Sequence, residues 1–277
     1  MKSFLVAIDF SNCSVNALLN AAQLAYITNS RLEMVWVNNP EKSSVNVENG
    51  ASTGLIDEIN IQFKRLTDDL QAKYSGLQVD YLIREGKVYK EVGSQALESE
   101  SWLIVAGTHG RSGFEKFWIG SNVYRIITTA PCPVLTVRAG VSISDQMNTI
   151  ILPIDSTPET REKVTITAEI ARATKAKVIV LKLYSSKIKE VIHVVDAYAN
   201  QVADFLRAEQ VEVEMDESIT SNLTDTTIEY AKMAKADLIV IMTEQEKKAA
   251  NFLLGNFAQQ MINHSPVPVL SVRPKGM

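Results

Sequence analysis

Two stretches of this sequence agree closely at an interval of 135 residues. Pro131-Cys132-Pro133-Val134-Leu135-Thr136-Val137-Arg138 is answered by Pro266-Val267-Pro268-Val269-Leu270-Ser271-Val272-Arg273, and the same interval separates Gly120 from Gly255. One interval shared by two separate motifs marks an internal duplication. A chain of 277 residues is long enough for two domains of ordinary size, so the repeat predicts two like units. The openings of the copies, Phe4–Ile8 before Asp9 and Ile150–Ile154 before Asp155, lie 146 apart, so the second copy is 11 residues shorter in its middle. The surplus falls at 38–54, rich in Ser, Asn and Gly, which reads as a loop. Arg138 to Asn148 reads as a polar linker containing Gly140, which places the units at 1–140 and 149–277.

A hydrophobic content of 46% with 22% charged residues is globular composition. The net charge of −4 comes with no basic stripe, so the sequence offers no electrostatic case for nucleic acid. The two cysteines, Cys13 and Cys132, stand in no metal-like or Cys-x-x-Cys spacing, as expected of a reduced compartment. The six apolar residues ahead of Asp9 are too few for a signal segment, and no later apolar run approaches a membrane span. The expectation is a soluble, cytoplasmic protein without a membrane span.

Each copy alternates β-like and helical patterns. In the first, Phe4–Ile8 is followed by apolar or small residues at Ala17, Leu18, Ala21, Ala22, Leu24 and Ala25, then by the β-like run Arg31–Val37. In the second, a helix is expected over 158–174, with proline acceptable in its first turn, and then a strand over 177–183. Five strands per half alternating with helices predict an α/β fold, a parallel sheet covered on both faces. Ligands of such doubly wound sheets bind at the carboxyl ends of strands where the strand order reverses. With strands one and four as central neighbours, Asp9, Val37 and the loop at Gly107 converge on one crevice.

That loop carries the chemistry. Gly107 ends an apolar strand, and Gly110 admits close backbone approach or a positive φ. Arg111 supplies a guanidinium suited to phosphate oxygens. Gly120-Ser121-Asn122 precedes a helical run, so unpaired N–H groups and a hydroxyl face the same anion. The arrangement suits a polyphosphate, yet it is neither a Walker loop nor the Gly-x-Gly-x-x-Gly fingerprint. The bland alternatives are tight turns and a helix cap for the glycines, a strand-end cap for Asp9, and a solvated surface charge for Arg111. Cys132 between prolines reads as an inert thiol, Cys13 as a packing residue at a helix start, and His193 and His264 as structural. The paired Pro-x-Pro segments suit strands that begin at a sheet margin.

The motif Gly-x-x-Gly-x9-Gly-Ser/Thr is met in full by Gly107, Gly110, Gly120 and Ser121. With Asp9 after the opening strand, the run 107–113 and Ala130-Pro131-Cys132-Pro133-Val134-Leu135, the whole chain resembles a tandem member of the universal stress protein family. The resemblance implies two doubly wound five-stranded domains of strand order 3-2-1-4-5. They would pair through their last strands, residues 133–137 and 268–272, as an internal pseudo-dimer. It also implies bound ATP, with Mg²⁺, in one branch of the family. Carried over residue by residue, Asp9 lies near the ribose and the Val37 backbone meets adenine. Gly107, His109 and Gly110 line the phosphates with Arg111 beside them, while Gly120, Ser121 and Asn122 close over them.

The second copy departs from the motif. Met242 stands for Gly107, Gln245 for Gly110 and Asn256 for Ser121, and only Gly255 survives. Glu244 and Glu246 replace His109 and Arg111, placing negative charge where phosphates would lie. Losing several charge-assisted hydrogen bonds, roughly 1.5–3 kcal/mol each, predicts one nucleotide per chain, held by the N-terminal half.

No catalytic constellation is readable. Glu115 is the nearest carboxylate to the loop, and the expectation is a nucleotide-dependent stress sensor or regulator with at most weak ATP hydrolysis. Its protein partner is unknown. The competing reading is an interaction scaffold that keeps the glycine frame for geometry. A ligase or pyrophosphatase of similar architecture needs a glycine-rich loop after the first strand, and Asp9-Phe10-Ser11-Asn12 has none.

Overall fold

The computed structural model describes residues 1–39, 51–108, 119–141, 146–243, 245–248 and 251–274. The first half runs β1 (Ser3–Ala7), α1 (Asn12–Ile27), β2 (Arg31–Asn38), α2 (Ala51–Lys73), β3 (Val79–Glu85), α3 (Val88–Glu98), β4 (Leu103–Gly107), α4 (Ser121–Thr129) and β5 (Val134–Val137). The second runs β6 (Thr149–Ile154), a 3₁₀ turn (Pro158–Arg161), α5 (Val164–Thr174), β7 (Lys177–Tyr184), α6 (Lys189–Ala208), β8 (Val213–Ile219), α7 (Leu223–Met233) and β9 (Leu238–Met242). It continues with β10 (Gln245–Lys248), β11 (Asn251–Leu254), α8 (Asn256–His264) and β12 (Val269–Val272).

One ten-stranded sheet spans both halves in the order β3-β2-β1-β4-β5-β12-β9-β6-β7-β8. Each half has the 3-2-1-4-5 order with parallel neighbours. The halves meet through the antiparallel pairing of β5 with β12, Leu135 opposite Leu270. Alternation along the strands supplies two cores. Phe4 and Val6 face α1 and α2, while Leu5 faces α3 and α4, and the second half repeats the arrangement with α5 and α6 on one side and α7 and α8 on the other.

A reciprocal pair of arginines ties the halves together beside this seam. Arg138 donates to the carbonyl of Ser265, which ends α8, and Arg273 donates to the carbonyl of Ala130, which ends α4 (3.0 and 2.8 Å). Both positions and both acceptors are 135 apart, so the duplication is also a pseudo-twofold axis.

Two expectations need correction. The tract 38–54 lies partly outside the described residues, but Asn38 ends β2 and residues 51–54 open α2. The helix expected over 158–174 is split into a 3₁₀ turn and α5. As expected, the strands following Pro133 and Pro268 lie at the margin of each half, and their pairing puts them at the centre of the joined sheet. The segment before Gly255, for which the sequence pattern predicts no element, forms an antiparallel hairpin, β10–β11. The linker is anchored at its start, because the Asn16 side chain donates to the carbonyls of Arg138 and Val141, and Met147 is buried. Among the described residues no helix is long and apolar enough to cross a membrane.

Candidate functional site

The carboxyl ends of β1, β2 and β4 and the start of α4 enclose a crevice in the first half. β1 stops at Ala7, opposite Val35, while β2 runs on, so its edge at Val37 opens onto this space. Asp9, Val37, Gly107, Gly120, Ser121 and Asn122 all line it, six of the nine residues singled out in the sequence. His109, Gly110 and Arg111 lie outside the described residues, as do Glu115 and Glu244. The enclosed space is about 160 Å³.

Its walls divide by chemistry. Val35, Val37, Val88, Val92, Val123 and Ile126 make an apolar slot, to which α3 contributes Val88 and Val92 one turn apart. Val88 and Val92 were not picked out from the sequence, because their spacing equals that of any core-facing helix. At the polar end the N-cap of α4 is Gly120, which has no side chain to cap the helix, so among the described residues its first amides meet no side-chain acceptor. Gly120 is itself held back by its N–H to the Thr108 carbonyl, 2.8 Å. Asp9 accepts from the N–H and hydroxyl of Ser11 through one carboxylate oxygen (3.0 and 2.6 Å), fixing the turn between β1 and α1. Phe10 in that turn has φ +59°, a costly value for an aromatic residue, and is held there against Phe63.

The two crevice glycines differ. A Cβ on Gly107 would lie 2.7 Å from the Cys13 carbonyl oxygen and 2.9 Å from its sulfur. Gly107 is therefore demanded by the packing of α1 on β4. A Cβ on Gly120 would find its nearest described neighbour at 3.4 Å, an ordinary contact, and its φ of −61° suits any residue.

The second half repeats the polypeptide turn and fills the space. Asp155 accepts from the N–H and hydroxyl of Thr157 (2.8 and 2.5 Å), and Thr160 stands where Ser14 does. Met242 then occupies the end of β9, and Lys163, at the position of Ala17, turns inward. Its ammonium is buried and donates to the carbonyl and hydroxyl of Thr160 (2.7 and 3.1 Å). Burial pulls this lysine down to about 8, against Asp155, which pushes it up. With Met242, Phe257 and Pro153 around it, only about 20 Å³ remains. The Cys132 thiol, by contrast, is raised by burial to about 12, consistent with an unreactive group.

Residues 1–138 and 147–273 each match the model of the Universal stress protein family. A putative universal stress protein of Staphylococcus saprophyticus is 27% identical over 149 residues, which cover 50% of this chain and 83% of that one. A putative universal stress protein of Staphylococcus epidermidis is 26% identical over 174 residues, 58% of this chain and 96% of that one. Among solved structures, a universal stress protein from Archaeoglobus fulgidus superposes with a TM-score of 0.74 over 98% of both chains at 16% identity, a likeness of fold. With two matched regions and the duplicated sheet, the chain belongs to the universal stress protein family as a tandem, two-domain member.

Proposed function

We propose that the chain is a stress-response regulator that binds one adenine nucleotide, ATP as its Mg²⁺ complex, in the N-terminal crevice. The observation that carries this reading is the contrast between the halves. An open slot ends at an uncapped helix start in the first, and a plugged remnant stands in the second.

The residues present fit such a ligand. The valine-lined slot suits a flat base, with the β2 edge at Val37 beside it. Asp9 stands where a ribose hydroxyl could donate to it. The amides at Ser121, Asn122 and Val123, with the Ser121 hydroxyl, suit phosphate oxygens. His109, Gly110 and Arg111 are assigned to the phosphates by the family motif. Bound nucleotide would supply negative charge at the α4 N-terminus, and the protein's part is to bind, orient and respond. Any ATP hydrolysis would be weak, because among the described residues Asp9 is the one carboxylate lining the crevice and it is engaged by Ser11.

The scaffold reading draws on one observation, that Gly107 is required by α1 packing alone. Gly120→Ala separates the two. The fold tolerates the added methyl, so lost nucleotide binding with an unchanged melt supports the nucleotide reading. No nucleotide binding in the parent protein supports the scaffold, and unchanged binding in the variant places the ligand away from Gly120.

A further inference from the structure

The hairpin β10–β11 occupies, in the second half, the stretch of chain that in the first half leads from β4 to α4. It does not keep to its own half. The backbone N–H of Leu254, the last residue of β11, donates to the hydroxyl of Tyr124 at 3.0 Å, and β11 packs along α4. Tyr124 is the fourth residue of α4, immediately after Ser121, Asn122 and Val123, which line the N-terminal crevice. Leu254 is buried in the core shared by α4 and α8, and Gly255 directly after it caps α8. One side chain therefore joins the helix at the open crevice to the element that replaced the loop of the closed one. The pseudo-symmetric position on α8 is Gln259, so the tyrosine contact belongs to one direction only.

We propose that the β10–β11 hairpin is the readout of the N-terminal crevice. On this inference, which rests on the nucleotide reading above, an anion at the start of α4 holds that helix, and Tyr124 with it, against Leu254. The occupied state thereby stabilises the docked hairpin. Such coupling is reciprocal, so a docked hairpin must favour the nucleotide by the same factor. Tyr124 is a positioning residue, since it acts on the ligand through α4.

The test is amide hydrogen exchange on the full-length protein with and without ATP–Mg²⁺, beside a binding titration, for the parent chain and Tyr124→Phe. Exchange is read over residues 246–253, because loss of the hydroxyl alters the Leu254 amide directly. The expected result is slower exchange of the hairpin on nucleotide addition in the parent protein. In Tyr124→Phe that response is lost, with nucleotide bound about threefold to tenfold more weakly, the share of one hydrogen bond. Nucleotide binding with no change in the hairpin, or an equal response in both proteins, overturns the inference and leaves the nucleotide reading standing. Absence of nucleotide binding in the parent protein overturns both.

Discussion

A Cβ at Gly107 would press on the Cys13 backbone at 2.7 Å, whereas one at Gly120 would meet nothing closer than 3.4 Å among the described residues. Gly107→Ala is accordingly expected to destabilise the first domain by about 1–3 kcal/mol in urea unfolding, since the neighbour is backbone that cannot swing away. Gly120→Ala is expected to leave the melt within about 0.5 kcal/mol of the parent and to weaken ATP by about tenfold or more. In the sequence the two glycines are members of one motif; the difference comes from α1, which lies over β4 and not over α4. Lys163 provides a separate test at this scale. Its folded-state pKa, about 8, lies below the ordinary lysine value, so the folded protein binds fewer protons than the unfolded chain between pH 8 and 10.5. Stability contributed by this site therefore rises with pH through that window, and the penalty of burying the charge is fully present below it. The unfolding free energy of the parent relative to Lys163→Met should climb by roughly 3 kcal/mol from pH 7 to 10.5. A flat difference would show that the ammonium is not buried as described.

At the scale of the element, α4 is a nine-residue helix whose N-cap, Gly120, supplies no side-chain cap. Placing a carboxylate at its Ncap should help the helix and harm the ligand. Gly120→Asp is expected to raise stability by a few tenths of a kcal/mol while abolishing nucleotide binding, measured by thermal melt and titration. A variant that is stabilised and still binds would argue that anions do not sit there. The 3₁₀ turn at Pro158–Arg161 shows why the second half could not be read from the first. Met242 in place of Gly107 removes the close approach on which the first turn of α1 depends. Pro153 in place of Ala7 also lacks an N–H, and the β6–β9 ladder is confined to Ile150 and Ile151. The substitutions were visible in the sequence. That they would be accompanied by an inward lysine was not, because Lys163 sits in a helical pattern where lysine ordinarily faces water.

For the whole molecule, the period of 135 residues predicted two like units, while the strand order and the last-strand seam were implied by the family resemblance, and both stand in the structure. Repeats are legible because each copy must bury the same faces. The reciprocal arginines were present in the same aligned segments, but their acceptors are carbonyls on the opposite half, and no single-residue pattern announces a backbone partner. The Tyr124–Leu254 contact was illegible for the same reason. Arg138→Met and Arg273→Met are each expected to cost roughly 1–2 kcal/mol, with nearly additive effects in the double variant because each arginine has its own acceptor. Chemical denaturation of the three variants measures this, and a single variant as damaging as the pair would contradict the two-sided seam.

The central claim is that the duplication left one working site and one plugged site. The most direct measurement is the stoichiometry of ATP–Mg²⁺ on the full-length chain, by calorimetric titration with mass spectrometry of nucleotide released on denaturation. One nucleotide per chain, lost in Gly120→Ala and retained in Lys163→Met, is the predicted result. Two equivalent nucleotides per chain, or none, would contradict it.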